Sequence, residues 1–484
     1  MYKRQLQWLT DSDATPPHKL DAAFVERALL TMNARASPGP DMLPPCLLAL
    51  APREDARRAA VQKRSLRQRT HDEADPTSGD PSWADSSTIT SSLAAVVRNV
   101  ITANLASDLR QLYSYNRLIP LRKSARPEDR DVRPIGISSA LRRLAGRTLT
   151  LAYSNHWGSI LESFNTGAGL RGGQESCPHR VRAYLRDHPG HALLSLDSKN
   201  AFNSIDRREI NVALEEHCPE LLPYFQTLYG LDTTLILADG NTITASRGVT
   251  QGDACGPALF NMGQHRVLLH FMKSLRDEPL TGGDVLVQTL HDDSYLLGPP
   301  AALKDALKRL ERLMAEAGLE LQPSKSILYL PQNDATRPAS EADTAAIADL
   351  KKEMKFTEEG TVVVGTPVGT PEYETQVVME RVRDLRSYLE LINPTNATSL
   401  LHGQTYLAWH LFRLTAPGRL THWLRGVHPA HTKQPAEEAD SLLQGFLADI
   451  LGIAKEELTE REKLIFREYT EKGGLGILPR ARAR

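Results

Sequence analysis

The stretch LVQTLHDDSYLLGP, residues 286–299, places two adjacent carboxylates, Asp292 and Asp293, inside an apolar run. Residues 285–290 and 295–297 predict two buried strands, and HDDS forms the connection between them. Neighbouring carboxylates repel each other and prefer water, so the tip of an apolar hairpin is an unfavourable place for them. A divalent cation would offset most of that cost, because Mg²⁺ selects hard carboxylate oxygens. Taken alone, the pattern fits an ordinary acidic turn equally well.

A third carboxylate, Asp197, follows the apolar run in HALLSLDSKNAFNSIDRREI, residues 191–210. Residues 193–196 predict a strand that ends at Asp197, and residues 201–205 predict the start of a helix. On its own, Asp197 fits a turn or helix N-cap better than a functional site. A third segment, residues 246–272, opens with the loop SRGVTQGDACGP and continues as a long apolar helix. Gly248 and Gly252 in that loop would allow a close backbone approach to a ligand.

Taken in order, LDSKNAF, GVTQGDACGPALF and LHDD resemble the palm motifs of reverse transcriptases, particularly those of retrotransposons without long terminal repeats. Four further blocks resemble other segments of that family. They are ASPGPDMLP at residues 36–44, the fingers with their RPI turn at 118–147, the segment before the first carboxylate at 164–185, and the lysine-bearing motif at 318–330. Seven blocks in the family's order are far more specific than any single motif. The resemblance implies an α+β fold, a right-hand polymerase with fingers, a ferredoxin-like palm and a helical thumb.

Changes in composition and the resemblance together predict six regions along the chain. They are an N-terminal extension (1–50), a polar, flexible insertion (51–90), fingers (91–190), the palm (191–330), a linker with a primer-grip-like hairpin (331–370), and a helical thumb with the C-terminal region (371–484). Helices are predicted at 20–34, 91–113, 303–317 and 400–414, and a last helix is predicted between a capping box of Thr459 and Glu462 and Gly473. Leu319 and Leu321 alternate with polar residues, which predicts a strand. The hairpin at 361–370 fits an ordinary β-hairpin equally well.

The resemblance also implies the chemistry, which is attack of a primer 3′-hydroxyl on the α-phosphate of a deoxynucleotide. It implies two Mg²⁺ ions, for which Mn²⁺ is a substitute, held by Asp197, Asp292, Asp293 and the carbonyl of Ser198. Lys325 is the implied acid for the leaving pyrophosphate. The implied nucleotide-binding residues are Lys123, Arg133, Phe202, Gln251 and Gly252. The implied nucleic-acid-binding residues are Arg117, Arg122, Arg142 and Arg143.

Several of these residues have an ordinary interpretation when they are taken singly. Lys123, Arg133 or Lys325 alone would be a surface base. Phe202 would be a core aromatic, whereas the resemblance places a bulky residue there that excludes a ribose 2′-hydroxyl. Between Arg117 and Arg147 the sequence has nine Arg or Lys residues and three acidic residues, although the whole chain has a net charge of −1. That local excess suits phosphate binding, and a solvated basic face explains it as well.

Two positions depart from the family pattern. Asn203 stands where many relatives carry Asp, and Leu290 stands where an aromatic residue is commoner. His291 fills the variable position before the two aspartates. A zinc site at His291 is disfavoured, because no second His or Cys is placed to assist it.

The sequence also indicates a compartment. No apolar stretch approaches membrane-spanning length, and the start MYKRQLQWLT has no signal-peptide core. The four cysteines lack paired spacing, which suits a reducing environment. We therefore expect an intracellular protein, in the nucleus or the cytoplasm, that is neither secreted nor bound to a membrane. The DNA-cleaving domain and zinc knuckle usual in relatives are missing from the sequence, so we expect either a piece of a larger element protein or reliance on a separate nuclease.

Four functions remain open at this point. They are an RNA-directed DNA polymerase, an RNA-templated RNA polymerase or terminal transferase on the same palm, a catalytically silent domesticated nucleic-acid-binding protein, and a structural partner with a decayed palm. The joint presence of the three carboxylates, Gln251 and Lys325 argues against decay, and Phe202 argues against ribonucleotides. The sequence therefore predicts a reverse transcriptase derived from a retroelement, with an RNA template, a DNA or RNA primer and dNTPs as partners.

Overall fold

The computed structural model describes residues 20, 22–33, 35–58, 88–123, 132–332, 340–459 and 461. They divide into two units. The first unit takes in residues up to 171 together with 198–279 and 307–322, and the second takes in 172–197, 280–306 and the residues from 323 onward. Among the described residues, no helix is long and apolar enough to cross a membrane.

The described strands and helices are numbered in chain order. The strands are β1 (Asn116–Arg122), β2 (Val132–Ser138), β3 (Ala192–Leu196), β4 (Thr233–Ile236), β5 (Thr242–Ala245), β6 (Leu286–Leu290), β7 (Asp293–Gly298), β8 (Ile327–Tyr329), β9 (Lys355–Thr357), β10 (Gly360–Val363) and β11 (Thr366–Gly369). The helices are α1 (Ala22–Thr31), α2 (Pro45–Leu48), α3 (Ile89–Ile101), α4 (Ser107–Ser114), α5 (Ala140–Leu161), α6 (Gly173–Asp187), α7 (Ala201–Ser204), α8 (Arg207–His217), α9 (Leu222–Tyr229), α10 (Gly256–Asp277), α11 (Pro300–Glu316), α12 (Glu341–Glu353), α13 (Pro371–Ile392), α14 (Thr405–Thr415), α15 (Thr421–Gly426) and α16 (Pro429–Leu451).

The sheet of the first unit has the strand order β2-β1-β4-β5. Strands β1 and β2 pair antiparallel over their whole length, and β1 pairs parallel with β4 at Asn116 and Arg117. Pro120 faces Pro134 across the hairpin. Because proline has no N–H to donate, this pair must occupy a position of the ladder without mutual hydrogen bonds. The long hairpin therefore tolerates two prolines without losing a ladder bond.

The predicted helix at 91–113 is two helices, α3 and α4. The break falls at Ala103, whose φ of +56° lies in the left-handed region and ends the helical backbone. The guanidinium of Arg110 donates to the carbonyls of Ala103 and Leu105, which holds the bend closed. Hydrophobic spacing continues through the bend, so periodicity alone did not reveal it.

The start of the predicted flexible insertion is helical. Residues 51–58 form a helix, and 59–87 lie outside the described residues. The carboxylate of Asp55 accepts hydrogen bonds from the N–H groups of Ile89 and Thr90, each at 2.9 Å. These are free N–H groups at the beginning of α3, where a carboxylate is favoured. Asp55 therefore anchors this helix to α3, which corrects the predicted boundary at residue 51.

The sheet of the second unit has the order β6-β7-β3-β8-β9. Its central strand β3 pairs antiparallel with both β7 and β8, and four of its five residues are buried. The strands predicted at 193–196, 285–290 and 295–297 are confirmed as β3, β6 and β7. The helix predicted at 303–317 is confirmed as α11, which begins earlier at Pro300.

The strand predicted at Leu319 and Leu321 is wrong. The N–H of Gly318 donates to the carbonyl of Ala315, and the N–H of Leu319 donates to that of Met314. With Gly318 at φ +77°, these two bonds form the Schellman motif that ends α11. The apolar Leu319 belongs to this cap, and the strand begins only at Ile327.

The C-terminal half of the second unit is a short hairpin followed by helices. The hairpin predicted at 361–370 is confirmed as β10 and β11, which turn at Val364 and Gly365 with φ of +50° and +78°. The helix predicted at 400–414 begins later, at Thr405, after a series of turns. The last predicted helix lies outside the described residues.

Helices α13, α14 and α16 share one apolar core. Leu385, Phe412 and Leu447 are each at most 2% exposed within it, and the rings of Phe412 and Phe446 stack with centroids 4.8 Å apart. Each such side chain contributes about 1.5–3 kcal/mol when it is removed from water. The helices are therefore held by their own core, to which Val382, Leu385 and Leu389 of α13 contribute at helical spacing.

Candidate active site

Asp197 lies directly after β3 and is exposed. Its N–H donates to the hydroxyl of Ser326 at 3.1 Å, and Ser326 is buried at the start of β8. Two neighbouring strands of the second sheet therefore fix the backbone at this carboxylate. Sequence reasoning missed Ser326, because its partner lies beside a different strand.

Asp292 and Asp293 lie at the β6–β7 hairpin. Leu290 pairs with Asp293, so the turn consists of His291 and Asp292 alone, and Asp293 is the first residue of β7. His291 adopts a φ of +55°, a conformation that is uncommon for a residue other than glycine. The turn therefore has two residues, whereas the sequence predicted the four-residue connection HDDS. Asp292 lies in the turn, and Asp293 begins β7.

The pairing of β3 with β7 brings the first carboxylate to the other two. Leu196 pairs with Ser294, so the register continues to Asp197 opposite Asp293. Residues opposite each other in an antiparallel pair share one face of the sheet, with Cβ atoms about 4.5–5.5 Å apart. Desolvation, together with the negative charges of Asp292 and Asp197, raises the pKa of Asp293 to about 6. Asp292 and Asp197 therefore act electrostatically on Asp293.

The donor chemistry of this cluster suits a hard divalent cation. Carboxylate oxygens are the preferred ligands of such ions, and a cation would offset both the desolvation and the repulsion by Asp292 and Asp197 that raise the pKa of Asp293. Within the part of the chain that the structure describes, no group of three or more His, Cys, Asp or Glu side chains is arranged to hold an ion directly. The three carboxylates therefore suit a divalent cation by their charge and their oxygen ligands. The β3–β7 register places Asp197 beside Asp293.

Ser198 directly follows Asp197 in the chain, and Lys325 lies well beyond Asp293. Lys325 is exposed at the end of a 3₁₀ turn, Pro323–Lys325, and immediately precedes the Ser326 that binds the N–H of Asp197. Ser198 belongs to the first unit, where it forms an antiparallel bridge with Leu321. Beside that bridge, the main-chain carbonyl of Glu320 accepts a hydrogen bond from the N–H of Lys199 at 2.8 Å.

The loop of Gln251 and Gly252 is fixed by β2. The carbonyl of Gln251 accepts the N–H of Gly136 at 2.7 Å, and Gln251 also forms a parallel bridge with Ile135. Gly252 has a φ of +111°, and a Cβ there would lie 2.6 Å from the carbonyl oxygen of Gly136. Glycine is therefore required at Gly252 by the protein's own backbone, and a ligand is not needed to explain it.

Phe202 lies beside the same loop. Its carbonyl accepts the N–H of Val249 at 2.8 Å, and its half-buried ring stacks on that of Phe260 with centroids 4.5 Å apart. A Cβ on Gly248 would clash with the backbone of Phe202 and Asn203. The first unit thus links Phe202 and Gln251, two of the predicted nucleotide-binding residues, through the loop at 248–252.

The structure corrects the role of Arg142. Its side chain is fully buried, and it forms a 2.6 Å ion pair with the equally buried Asp253. It also donates to the hydroxyl of Tyr229 and to the carbonyl of Tyr113. A side chain that is buried and engaged in this way cannot contact a nucleic acid. The signal was present in the sequence, because Arg142 shares the helical spacing of the buried Ala145 and Leu149.

Asp253 and Tyr229 are functional candidates that the sequence did not single out. The hydroxyl of Tyr229 donates to Asp253 at 2.6 Å and accepts the N–H of Thr250 at 3.2 Å. The buried charge network therefore supports the loop that carries Gln251. Arg207 adds to this support, since it donates to the carbonyl of Gly248 at 2.9 Å and lies over the Tyr229 ring.

The remaining predicted basic residues lie on or next to the β1–β2 hairpin. The register pairs Arg133 with Leu121 and Arg122 with Val132. Arg117 and Arg133 therefore share one face of the hairpin, and Arg122 projects from the other. Lys123 is exposed directly after β1, and Arg143, which is half-buried, donates to the carbonyl of Ser37. The predicted cluster of bases is thus divided between two faces.

Residues 122–357 match the family described as reverse transcriptase (RNA-dependent DNA polymerase). The chain carries a reverse transcriptase domain. The match covers the three carboxylates and the Gln251 loop, and it confirms the right-hand polymerase fold expected from the motifs. Divalent metal ions are the general requirement of this family.

Two curated relatives agree with this assignment. The retrotransposable element SLACS 132 kDa protein of Trypanosoma brucei gambiense is 24% identical over 398 residues, which is 80% of this chain and 30% of that protein. The Pol polyprotein from the type-1 retrotransposable element R2 of Nasonia vitripennis is 28% identical over 204 residues, which is 40% of this chain and 20% of that protein. Both relatives are proteins of retrotransposable elements, which agrees with the resemblance found in the motifs. The chain spans less than a third of the length of either relative.

Overlap with solved structures is low. Apo telomerase from Candida tropicalis overlaps 78% of this chain and 64% of its own, at 10% identity and a TM-score of 0.42. Telomerase from Candida albicans overlaps 72% of this chain and 60% of its own, at 11% identity and a TM-score of 0.38.

Proposed function

We propose that the chain is an RNA-directed DNA polymerase that extends a primer 3′-hydroxyl with dNTPs on an RNA template. The observation that supports it most is the β3–β7 register, which sets Asp197 opposite Asp293 and next to the hairpin turn of Asp292. Carboxylates from separate strands at one end of a sheet are what metal-assisted phosphoryl transfer requires. A silent nucleic-acid-binding protein has no need for this unfavourable concentration of negative charge.

The ion we propose is Mg²⁺, with Mn²⁺ as a substitute, held by Asp197, Asp292, Asp293 and the carbonyl of Ser198. When two such ions are bound, they stabilise the attacking and leaving oxygens of the in-line displacement. The protein contributes their placement: Ser326 fixes the backbone of Asp197, and the tight turn at His291 fixes that of Asp292. Lys325, an exposed base next to Ser326, is the proposed donor of a proton to the leaving pyrophosphate.

For the nucleotide, we propose the residues that the first unit holds together. The backbone at Gln251 is held by β2, and the Phe202 carbonyl accepts the N–H of Val249, so the backbone at these residues keeps one position during binding. Such preorganisation lowers the entropy lost when the substrate is aligned. The ring of Phe202 is proposed to exclude a 2′-hydroxyl. Lys123 and Arg133 are proposed to neutralise the triphosphate, because a guanidinium makes forked contacts with phosphate.

For the RNA template and the primer, we propose contacts with Arg117, Arg122 and Arg143. All three lie on or near β1–β2 and retain some exposure, whereas Arg142 is excluded by its burial. The proposed origin is a retroelement, with cleavage of target DNA supplied by another part of a longer protein or by a separate nuclease.

The test is primer extension by the purified chain on RNA and DNA templates, with each nucleotide set and with Mg²⁺ or Mn²⁺. We expect Asp197→Asn and Asp292→Asn to abolish extension, while RNA binding persists because it depends on basic residues. The matched control is Asp284→Asn, which alters an exposed carboxylate of the same unit just before β6.

Near wild-type extension by the Asp292→Asn protein would show that the carboxylates are not catalytic. A wild-type protein that binds RNA but adds no nucleotide with either metal would instead be a silent binding module. A preference for ribonucleotides would favour the RNA-polymerase alternative.

A further inference from the structure

Arg182 occupies the middle of α6 and is four-fifths buried in the second unit. Its three nitrogens donate to three separate elements. Nε donates to the carboxylate of Glu374 at 2.8 Å, Nη1 to the carbonyl of Gly426, and Nη2 to the carbonyl of Pro367. One planar guanidinium therefore joins α6 to the first turn of α13, the end of α15 and the strand β11.

Glu374 is the charged partner in this arrangement. It is 1% exposed, and its second oxygen lies 2.6 Å from Nδ1 of His431 at the start of α16. A carboxylate in the first turn of α13 is also favoured by the helix dipole. The buried charge is thus satisfied from both sides, and a counter-charge at Arg182 is needed for stability.

The hairpin that Arg182 contacts is held at its tip as well. The N–H of Val364 donates to the hydroxyl of Tyr295 at 2.9 Å, and the indole of Trp423 donates to the carbonyl of Gly365 at 2.9 Å. Tyr295 is two residues after Asp293 on β7 and therefore shares a face with it. The tip is thus tied to the strand that begins with a metal-binding candidate, and the strand β11 just after the tip is tied to Arg182.

We infer that Arg182 is a positioning residue, whose three-way guanidinium contact sets the β10–β11 hairpin relative to β7 and thereby aligns the primer end for nucleotide addition. The inference rests on the proposed polymerase function. The alignment requires the directions of the three donors, because two of the acceptors are uncharged main-chain carbonyls, those of Gly426 and Pro367.

Charge and direction can be separated by two conservative variants. Arg182→Lys keeps a positive charge beside Glu374, but a single ammonium cannot serve two carbonyls and a carboxylate that lie in different directions. Glu374→Gln keeps an acceptor for Nε and a donor for His431, so the three donors of Arg182 stay in place while the counter-charge is lost. Arg186→Lys is the control, since Arg186 lies on the same helix but forms a surface ion pair with its neighbour Asp187.

The experiment measures the rate of single-nucleotide addition per active site at saturating dNTP, and the melting temperature, of the full chain and each variant. Arg182→Lys should slow addition roughly ten- to a hundredfold, the effect expected from a small misplacement of the reacting groups. Glu374→Gln should lower the melting temperature more than Arg182→Lys does, yet retain the wild-type rate. The control should match wild type in both measurements.

A second measurement does not depend on activity. Amide hydrogen exchange of the peptide at 360–369 should be faster in Arg182→Lys than in Glu374→Gln, because only the lysine variant releases the hairpin. The inference is overturned if amide exchange at 360–369 in Arg182→Lys is the same as in the wild type. It is also overturned if the nucleotide-addition rates of the two variants simply follow their melting temperatures. If the wild-type protein extends no primer, the proposed function fails, and the exchange result still decides whether Arg182 fixes the hairpin.

Discussion

Removing one partner of the buried Arg142–Asp253 pair should destabilise the first unit strongly. The two side chains are 0% and 2% exposed and approach to 2.6 Å, so Asp253→Asn leaves a buried guanidinium without its counter-charge. Burial alone would lower the pKa of Arg142, but the adjacent Asp253 carboxylate raises it above its ordinary value, so the arginine stays charged. Breaking a buried pair on one side costs about 3–5 kcal/mol.

The loss of folding stability should differ between the single variants and the double variant of this pair. Replacing both partners by apolar residues close to them in volume removes the stranded charge, so Arg142→Met with Asp253→Val should cost much less than the sum of the two single changes. Tyr229 would still lose its hydrogen bond to Asp253, which keeps the double variant below wild type.

Urea unfolding of the full chain, with hydrogen exchange of the amides at 250–253, measures both effects. The matched control is Asp239→Asn, an exposed carboxylate that accepts the N–H of Asn241 in the turn between β4 and β5. The reasoning is refuted if Asp253→Asn is no more destabilising than this control, or if the single costs simply add in the double variant.

Two further predictions concern the same unit. Burial, with the nearby His217, lowers the pKa of His265 to about 4, whereas the unfolded chain titrates near the ordinary value of about 6.5. The unfolded state therefore binds more protons between these values, so stability is lost as the pH falls, by roughly 2 kcal/mol at pH 5. Urea midpoints at pH 7 and pH 5 should show this loss in the wild type and a smaller one in His265→Phe, and equal losses would contradict the assignment. Phe202→Ala should raise ribonucleotide addition selectively over deoxynucleotide addition, each 1.4 kcal/mol of steric exclusion being about a tenfold preference. Paired single-nucleotide additions measure the ratio of ribonucleotide to deoxynucleotide addition, with Asn203→Asp as the control. An unchanged ratio would show that the Phe202 ring only packs against Phe260.

The sequence by itself predicted the elements that carry the carboxylates. Apolar runs of strand length before Asp197 and on both sides of Asp292 and Asp293 predicted β3, β6 and β7, because the tendency to bury a short apolar segment is local in the chain. The order of the motifs then identified the family. The same local rules failed at Leu319, where an apolar residue closes a helix cap, and at Ala103, where one left-handed residue divides a predicted helix.

Only the tertiary structure decided which residues meet. The sequence could not show that Asp197 lies opposite Asp293, because strand register depends on pairing between segments almost a hundred residues apart. It presented Arg142 and Arg143 as equivalent bases, yet the first is buried against Asp253, which lies 111 residues further along the chain. Whether a charged side chain faces water or a buried partner depends on contacts between residues far apart in the sequence. A local sequence pattern contains no information about such contacts.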